Sequence, residues 1–222
     1  MAEVTVSSLD LRLQKQVESA QSALNRGQAD VALELCAAVL DAQPACLAVR
    51  RLERAARLRQ GVVRASALAR LVTTLSSTPM LISGSRQLHE KPQEALATAE
   101  RLLRRNPRNV PALGLLGQAA TALGWTETAV FAHEAACDLE PERLDLWLTL
   151  GGAYLTAGRA QDAVLAAEEA LRLHPADADA QNLMRNATVN LTVAQGNWDK
   201  GGDYRGKMKQ SPHSIDGTRT GN

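Results

Sequence analysis

Residues Leu144–Pro175 read LDLWLTLGGAYLTAGRAQDAVLAAEEALRLHP, and the stretch preceding it, VPALGLLGQAATALGWTETAVFAHEAACDLEP (Val110–Pro141), superposes on it without a gap. Leu113 pairs with Trp147, Leu116 with Leu150, Gly117 with Gly151, Ala120 with Tyr154, Gly124 with Gly158, Ala129 with Ala163 and Ala136 with Ala170. Pro107, Pro141 and Pro175 share the same spacing of 34 residues. Self-similarity at a fixed period of this length is the mark of a repeat architecture. Within each unit, apolar residues three and four apart predict a helix that stops at Gly124 or Gly158. A second helix follows and ends before the proline, which cannot continue it. Trp147, Leu150 and Tyr154 fall at i, i+3 and i+7 and share one face. Gly117, Gly151, Ala129 and Ala163 carry almost no side chain, so helices can approach closely there.

The Trp-x-x-Leu-Gly-x-x-Tyr pattern of residues 147–154, with Ala163, Ala170 and Pro175 at fixed distances after it, resembles a tetratricopeptide repeat (TPR). The 110–143 unit matches it except that Leu113 and Ala120 replace the aromatics. Ala20, Gly27, Ala32 and Pro44 place a further unit at 13–46, and Ala95, Ala99 and Pro107 mark another second helix. The resemblance implies an all-α solenoid of about four hairpins over residues 13–175, after an N-terminal extension, 1–12. Residues 47–107 are irregular, because Pro44 and Pro107 stand 63 apart where two periods need 68. They read as helices near Leu47–Gln60 and Val63–Leu75, a turn at Thr78-Pro79, and a shortened helix Leu81–His89 paired with Pro92–Arg105, Pro92 suiting a first turn. Residues 177–195 read as a capping helix, with Asp177 as N-cap and Gly196 as stop, shielding the last hairpin from water.

Composition agrees. The chain has 222 residues, 45% hydrophobic but only 3% aromatic, and its apolar content is mostly Ala and Leu, which suits close-packed helices rather than sheets. Its start, MAEVTVSSLDLRLQKQ, lacks a basic and apolar leader, and no window approaches eighteen apolar residues, so a cytoplasmic protein with no membrane span is expected. Cys36, Cys46 and Cys137 carry no CxxC spacing and read as reduced, buried thiols.

Nothing in the sequence builds an active site, and no catalytic residue, metal or cofactor is expected. His133 and Cys137 at i, i+4 are two ligands where zinc sites need three or four. Asp177-x-Asp179 lacks the remaining oxygens of a calcium loop. The glycines at 196, 201 and 202 have phosphate-loop spacing, but Gly202 and Asp203 stand where that loop needs Lys and Ser/Thr. A non-catalytic scaffold or adaptor that binds a protein or peptide is therefore the expected function.

The family resemblance implies that the concave face is lined by the first helices. It assigns Pro111, Gly114, Leu115, Gln118, Thr121 and Ala122 in one unit, and Asp145, Leu148, Thr149, Gly152, Leu155 and Thr156 in the next. Neither set holds the Lys and Asn by which chaperone-binding members hold a carboxylate, so an apolar or helical partner segment is expected, with Leu115, Leu148 and Leu155 as its patch. Arg50, Arg54 and Arg57, at i, i+4 and i+7, offer an anionic-partner face. An acidic protein suits it, the rival being an RNA- or ribosome-associated role through Arg50–Arg64, whose binding would weaken steeply with salt. No aromatic residue lies in 45–110 to stack a base on.

The net charge of +1 conceals a division: residues 1–110 carry +6 and residues 111–194 carry −7. The 196–222 tail is mostly aperiodic, yet its 196–210 segment, GNWDKGGDYRGKMKQ, places Trp198, Tyr204 and Arg205 among further cations. These residue types anchor interfaces and complement the acidic rear repeats, so a docking motif is expected there.

Overall fold

The computed structural model describes residues 2–64 and 79–196. Among them the helices are α1 (Leu11–Asn25), α2 (Ala29–Ala42), α3 (Leu47–Arg64), α4 (79–87), α5 (Pro92–Arg105), α6 (Val110–Ala122), α7 (Thr126–Cys137), α8 (Leu144–Thr156), α9 (Ala160–Leu173) and α10 (Ala178–Gly196). The described residues contain no β-strand beyond a single parallel bridge between Val4 and Cys46. From α5 to α10 each helix packs on the next, and α10 also reaches back to α8. The architecture is thus the expected all-α solenoid.

Local chemistry sets the helix ends. Asp10, Asn109 and Asp177 accept from the backbone N–H three residues on, at 2.8, 3.1 and 2.8 Å, and so cap α1, α6 and α10. Pro92 and Pro111 occupy first turns, where a missing N–H costs nothing. Three hairpins turn identically: Gly27, Gly124 and Gly158 have φ of 78°, 75° and 74°. The next residue's N–H bonds back to Ala23, Ala120 or Tyr154 at 2.8 to 2.9 Å. Glu90 stands at the equivalent place between α4 and α5.

The irregular region resolves in part. α3 continues to Arg64, so the helix expected to begin at Val63 does not start there, and the rest of that expectation lies outside the described residues. Pro79 belongs to α4 rather than to a turn, and α4 is a first helix. Its Gly84 stands 33 residues before Gly117, itself 34 before Gly151, and all three are buried at helix crossings. A Cβ on Gly84 would meet Leu115 at 2.5 Å; one on Gly117 would collide with the His133 ring, and one on Gly151 with Leu183. The residue missing from this period falls in the shortened α4–α5 turn.

Helices α1–α3 form a unit with its own core, including Ala20, Cys36, Val39, Val49 and Ala56, all fully buried. It docks on the later repeats through several contacts. Ala45 and Val4 join the core around Leu96 and Trp125. Arg50 reaches Glu100 on α5. Glu3 reaches the start of α7, where its carboxylate accepts from the N–H of Glu127 (3.1 Å), the N–H of Thr128 (2.7 Å) and the Thr128 hydroxyl (2.6 Å). The N-terminal extension is therefore a tether: an acid at a helix N-terminus satisfies orphan amides and meets the positive end of the helix dipole.

Candidate functional site

The first helices α6 and α8 present one open face. Pro111, Gln118, Thr121 and Ala122 on α6 and Asp145, Thr149, Gly152 and Thr156 on α8 are exposed, while Leu148 and Leu155 are half-buried. Leu148, Gly152 and Leu155 fall at i, i+4 and i+7, so a bare glycine lies between two leucines on one strip. A Cβ on Gly114 or Gly152 would meet nothing within 4 Å, which marks both as open floor. The face is almost uncharged. Asp145 is committed to Arg143, which donates to both its carboxylate oxygens at 3.0 and 2.6 Å and holds its pKa below the usual value. Thr121 and Thr149 turn their hydroxyls back onto the carbonyls of Gly117 and Asp145.

Leu115 does not belong to this face. It is 4% exposed and seated over Gly84, so it packs α6 onto α4 and is withdrawn from any ligand patch. Of the apolar residues expected there, the structure leaves Leu148 and Leu155.

The arginines of α3 are also differently employed. Arg50 is 5% exposed; it donates to the Pro44 carbonyl at 3.1 and 2.5 Å, pairs with Glu100 and lies 5.6 Å from the Trp125 ring centre. Arg57 pairs with Glu53 at 2.6 Å, Arg51 lies over Phe131, and Arg59 donates to the Leu24 carbonyl at 2.6 Å. A buried guanidinium must find acceptors inside the fold, and Arg50 does, while Arg57 is half-buried and Arg51 and Arg59 are exposed. Of the expected anionic-partner face, Arg50 is withdrawn into the fold, and Arg54 and Arg57 are half-buried and already engaged by Pro107 and Glu53. Arg54 donates to the Pro107 carbonyl at 2.6 Å, and burial lowers its pKa, with Arg108 acting in the same sense and Asp138 against it.

A second network joins α7, α8 and α9. The Tyr154 hydroxyl donates to Glu134 at 2.9 Å, and Arg159 lies 4.7 Å from the tyrosine ring centre and pairs with Asp162 at 2.6 Å. Burial is the main cause that raises the Tyr154 pKa. Trp147 donates its indole N–H to the Pro141 carbonyl at 2.7 Å. These aromatics of the repeat motif bind the solenoid together rather than a ligand.

His133 and Cys137 are both buried. Burial depresses the His133 pKa to about 4 and raises the Cys137 thiol to about 12, so at neutral pH one is uncharged and the other protonated. Among the described residues no group of three His, Cys, Asp or Glu is placed to hold a metal ion, and no helix is long and apolar enough to cross a membrane. Cys36, Cys46 and Cys137 are free and buried. Trp198, Tyr204 and Arg205 lie outside the described residues.

Stacked hairpins with an open first-helix face define an interaction module of the helical-repeat class. A tetratricopeptide repeat model matches residues 89–136 and 126–178, so this segment resembles that family. Among solved structures, the TPR domain of Sgt2 from Aspergillus fumigatus matches with a TM-score of 0.51 at 18% identity, covering 58% of this chain and 87% of that one. The first TPR domain of human RPAP3 matches with a TM-score of 0.50 at 18% identity, covering 55% and 97%. At such identity the likeness is one of fold. No curated protein sequence matches this one.

Sequence reasoning missed Glu3, because its partners are more than 120 residues away. It also missed Gly84, although the signal was present: a glycine one repeat before Gly117.

Proposed function

We propose that the chain is a non-catalytic cytoplasmic scaffold or adaptor whose α6–α8 face holds an apolar segment of a partner protein. The observation that carries this reading is the Leu148–Gly152–Leu155 strip. Two half-buried leucines flank open backbone, so one apolar side chain of the partner enters at Gly152 and covers both. The neighbouring Gln118 and Thr149 supply adaptable polar contacts at the edge. The match to the tetratricopeptide repeat model supports protein binding, and the face itself is built of Gly, Leu, Thr and Gln. The tail residues Trp198, Tyr204 and Arg205 act as a second docking element. Affinity purification with wild type and with the Leu148→Glu, Leu155→Glu double variant tests the main reading. Loss of the wild-type partners by a still-folded variant is expected, and their retention would remove the site.

A further inference from the structure

Helix α10 closes the stack, and a terminal element keeps a solenoid soluble by turning a polar face outward. Its last turns do the reverse: Val189 and Val193, one helical turn apart, are 56% and 52% exposed. Valine is also a weaker helix former than the residues that usually fill exposed helical positions. Leu183 sits over Gly151, and the chain reverses twice between α8 and α10, so these two helices run side by side in the same direction. Val189 stands 34 residues after Leu155, at the same repeat position, and Asn186 likewise follows Gly152. Both Asn186 and Val189 are exposed, so the open face of α8 continues onto α10, where the two valines extend its apolar strip toward Gly196.

Residues 197–222 follow at that end. Trp198 comes two residues after Gly196 and so lies within about 7 Å of the helix end. Val193 and Val189 precede Gly196 by three and seven residues, about 5 and 10 Å back along the helix. Tyr204 is six residues beyond Trp198, a span of about 20 Å when extended. Packed helices lie about 8–10 Å apart, so this length crosses from α10 to α8 with chain to spare. Gly201 and Gly202, between the two aromatics, leave the backbone free to bend. Residues 197–210 carry four cations and two acids, against a net charge of −7 over residues 111–194, and opposite sign draws the two together.

We infer that residues 197–210 fold back onto this face in cis: Trp198 covers Val189 and Val193, and Tyr204 enters at Gly152 between Leu148 and Leu155. Trp and Tyr are the side chains that most often anchor interfaces. The inference rests on the reading of the α6–α8 face as the partner groove and deepens it, because the tail then holds the partner's own seat. A segment tethered this closely acts at an effective concentration on the order of millimolar. A partner therefore binds by displacing the tail, which sets a threshold on the affinity or concentration it needs.

NMR on the full chain tests this. Trp198→Ala with Tyr204→Ala should shift the amides of Gly152, Leu155 and Val189, all nine or more residues from either substitution, and the differences should not change with protein concentration. A synthetic peptide of residues 197–210 should bind this double variant saturably at the same amides. It should bind wild type at least about tenfold more weakly, because there the chain's own tail holds the face. Adding Val189→Glu, at an exposed position outside the core, should weaken peptide binding to the double variant without a change in circular dichroism. Shift differences confined to residues beyond Val193 overturn the contact, as does equal peptide affinity for wild type and double variant. Differences that fade on dilution assign the tail to a second copy and overturn docking in cis. No partner enters these measurements, so the tail contact and the partner groove fail separately.

Discussion

Leu115 sits over Gly84 as Leu183 sits over Gly151. The two leucines are two repeat periods apart, and each fills the gap that a preceding first-helix glycine leaves. This crossing sets how closely α4 meets α6 and α8 meets α10. Gly151→Ala and Gly84→Ala should each destabilise the protein by about 1–3 kcal/mol, because the added methyl forces the leucine aside in a packed core. Thermal unfolding checks this, and Leu183→Ala should relieve part of the Gly151→Ala penalty.

Gly114 and Gly152 predict the opposite sign. Both are helical and open, so alanine there should raise stability, by up to about 1 kcal/mol through helix propensity alone. Gly152→Ala should at the same time weaken partner binding, because it fills the gap between Leu148 and Leu155. A variant both more stable and less competent separates the groove from the core.

Glu3 ties the first residues to α7. Glu3→Gln removes the charge and weakens the cap, and Glu3→Ala removes it altogether. A loss of about 1 kcal/mol is expected for alanine, with a smaller one for glutamine, measured by denaturant unfolding. Hydrogen exchange should accelerate at the amides of Glu127 and Thr128, the two that the carboxylate accepts from.

Arg50 and Glu100 join the α1–α3 unit to α5. Arg50→Met should cost about 2–4 kcal/mol, since Glu100 then lies partly buried without its partner. Glu100→Gln alone should cost less, and the double variant should cost less than the sum of the two. Such coupling in a double-mutant cycle identifies a direct interaction.

His133 makes the fold acid-sensitive. Its folded pKa, about 4, lies below the value near 6.5 of an unfolded histidine, so the unfolded chain binds the proton first. Stability from this residue is therefore intact above pH 6.5 and is lost as pH falls toward 4, by on the order of 3 kcal/mol. The slope of melting temperature against pH in that window should flatten in His133→Gln.

The later repeat units and their turns were legible because a 34-residue period repeats the same local chemistry, a glycine turn and a closing proline; of the caps only Asp177 was, since Arg143 at the equivalent place makes no cap bond. What the period hides is which neighbour occupies each position. Leu115 and Thr149 stand at the same repeat position, yet one is buried and the other exposed, because Leu115 fills the gap over Gly84 whereas the gap at Gly117 is taken by His133. The α3 arginines misled for a related reason. Their spacing is local, but the acceptors of Arg50 and Arg54 lie at Glu100 and Pro107, about fifty residues away, where no helical periodicity points. Leu148 and Leu155 are half-buried on α8.

The central claim is that the α6–α8 face receives the partner. A photo-crosslinking residue in place of Gln118, exposed on that face, tests it directly against one in place of Leu165, also exposed but on the second helix α9. The account predicts partner adducts from position 118, abolished by Leu148→Glu with Leu155→Glu, and none from position 165. Adducts from position 165 alone, or adducts from 118 that survive the double substitution, would contradict it.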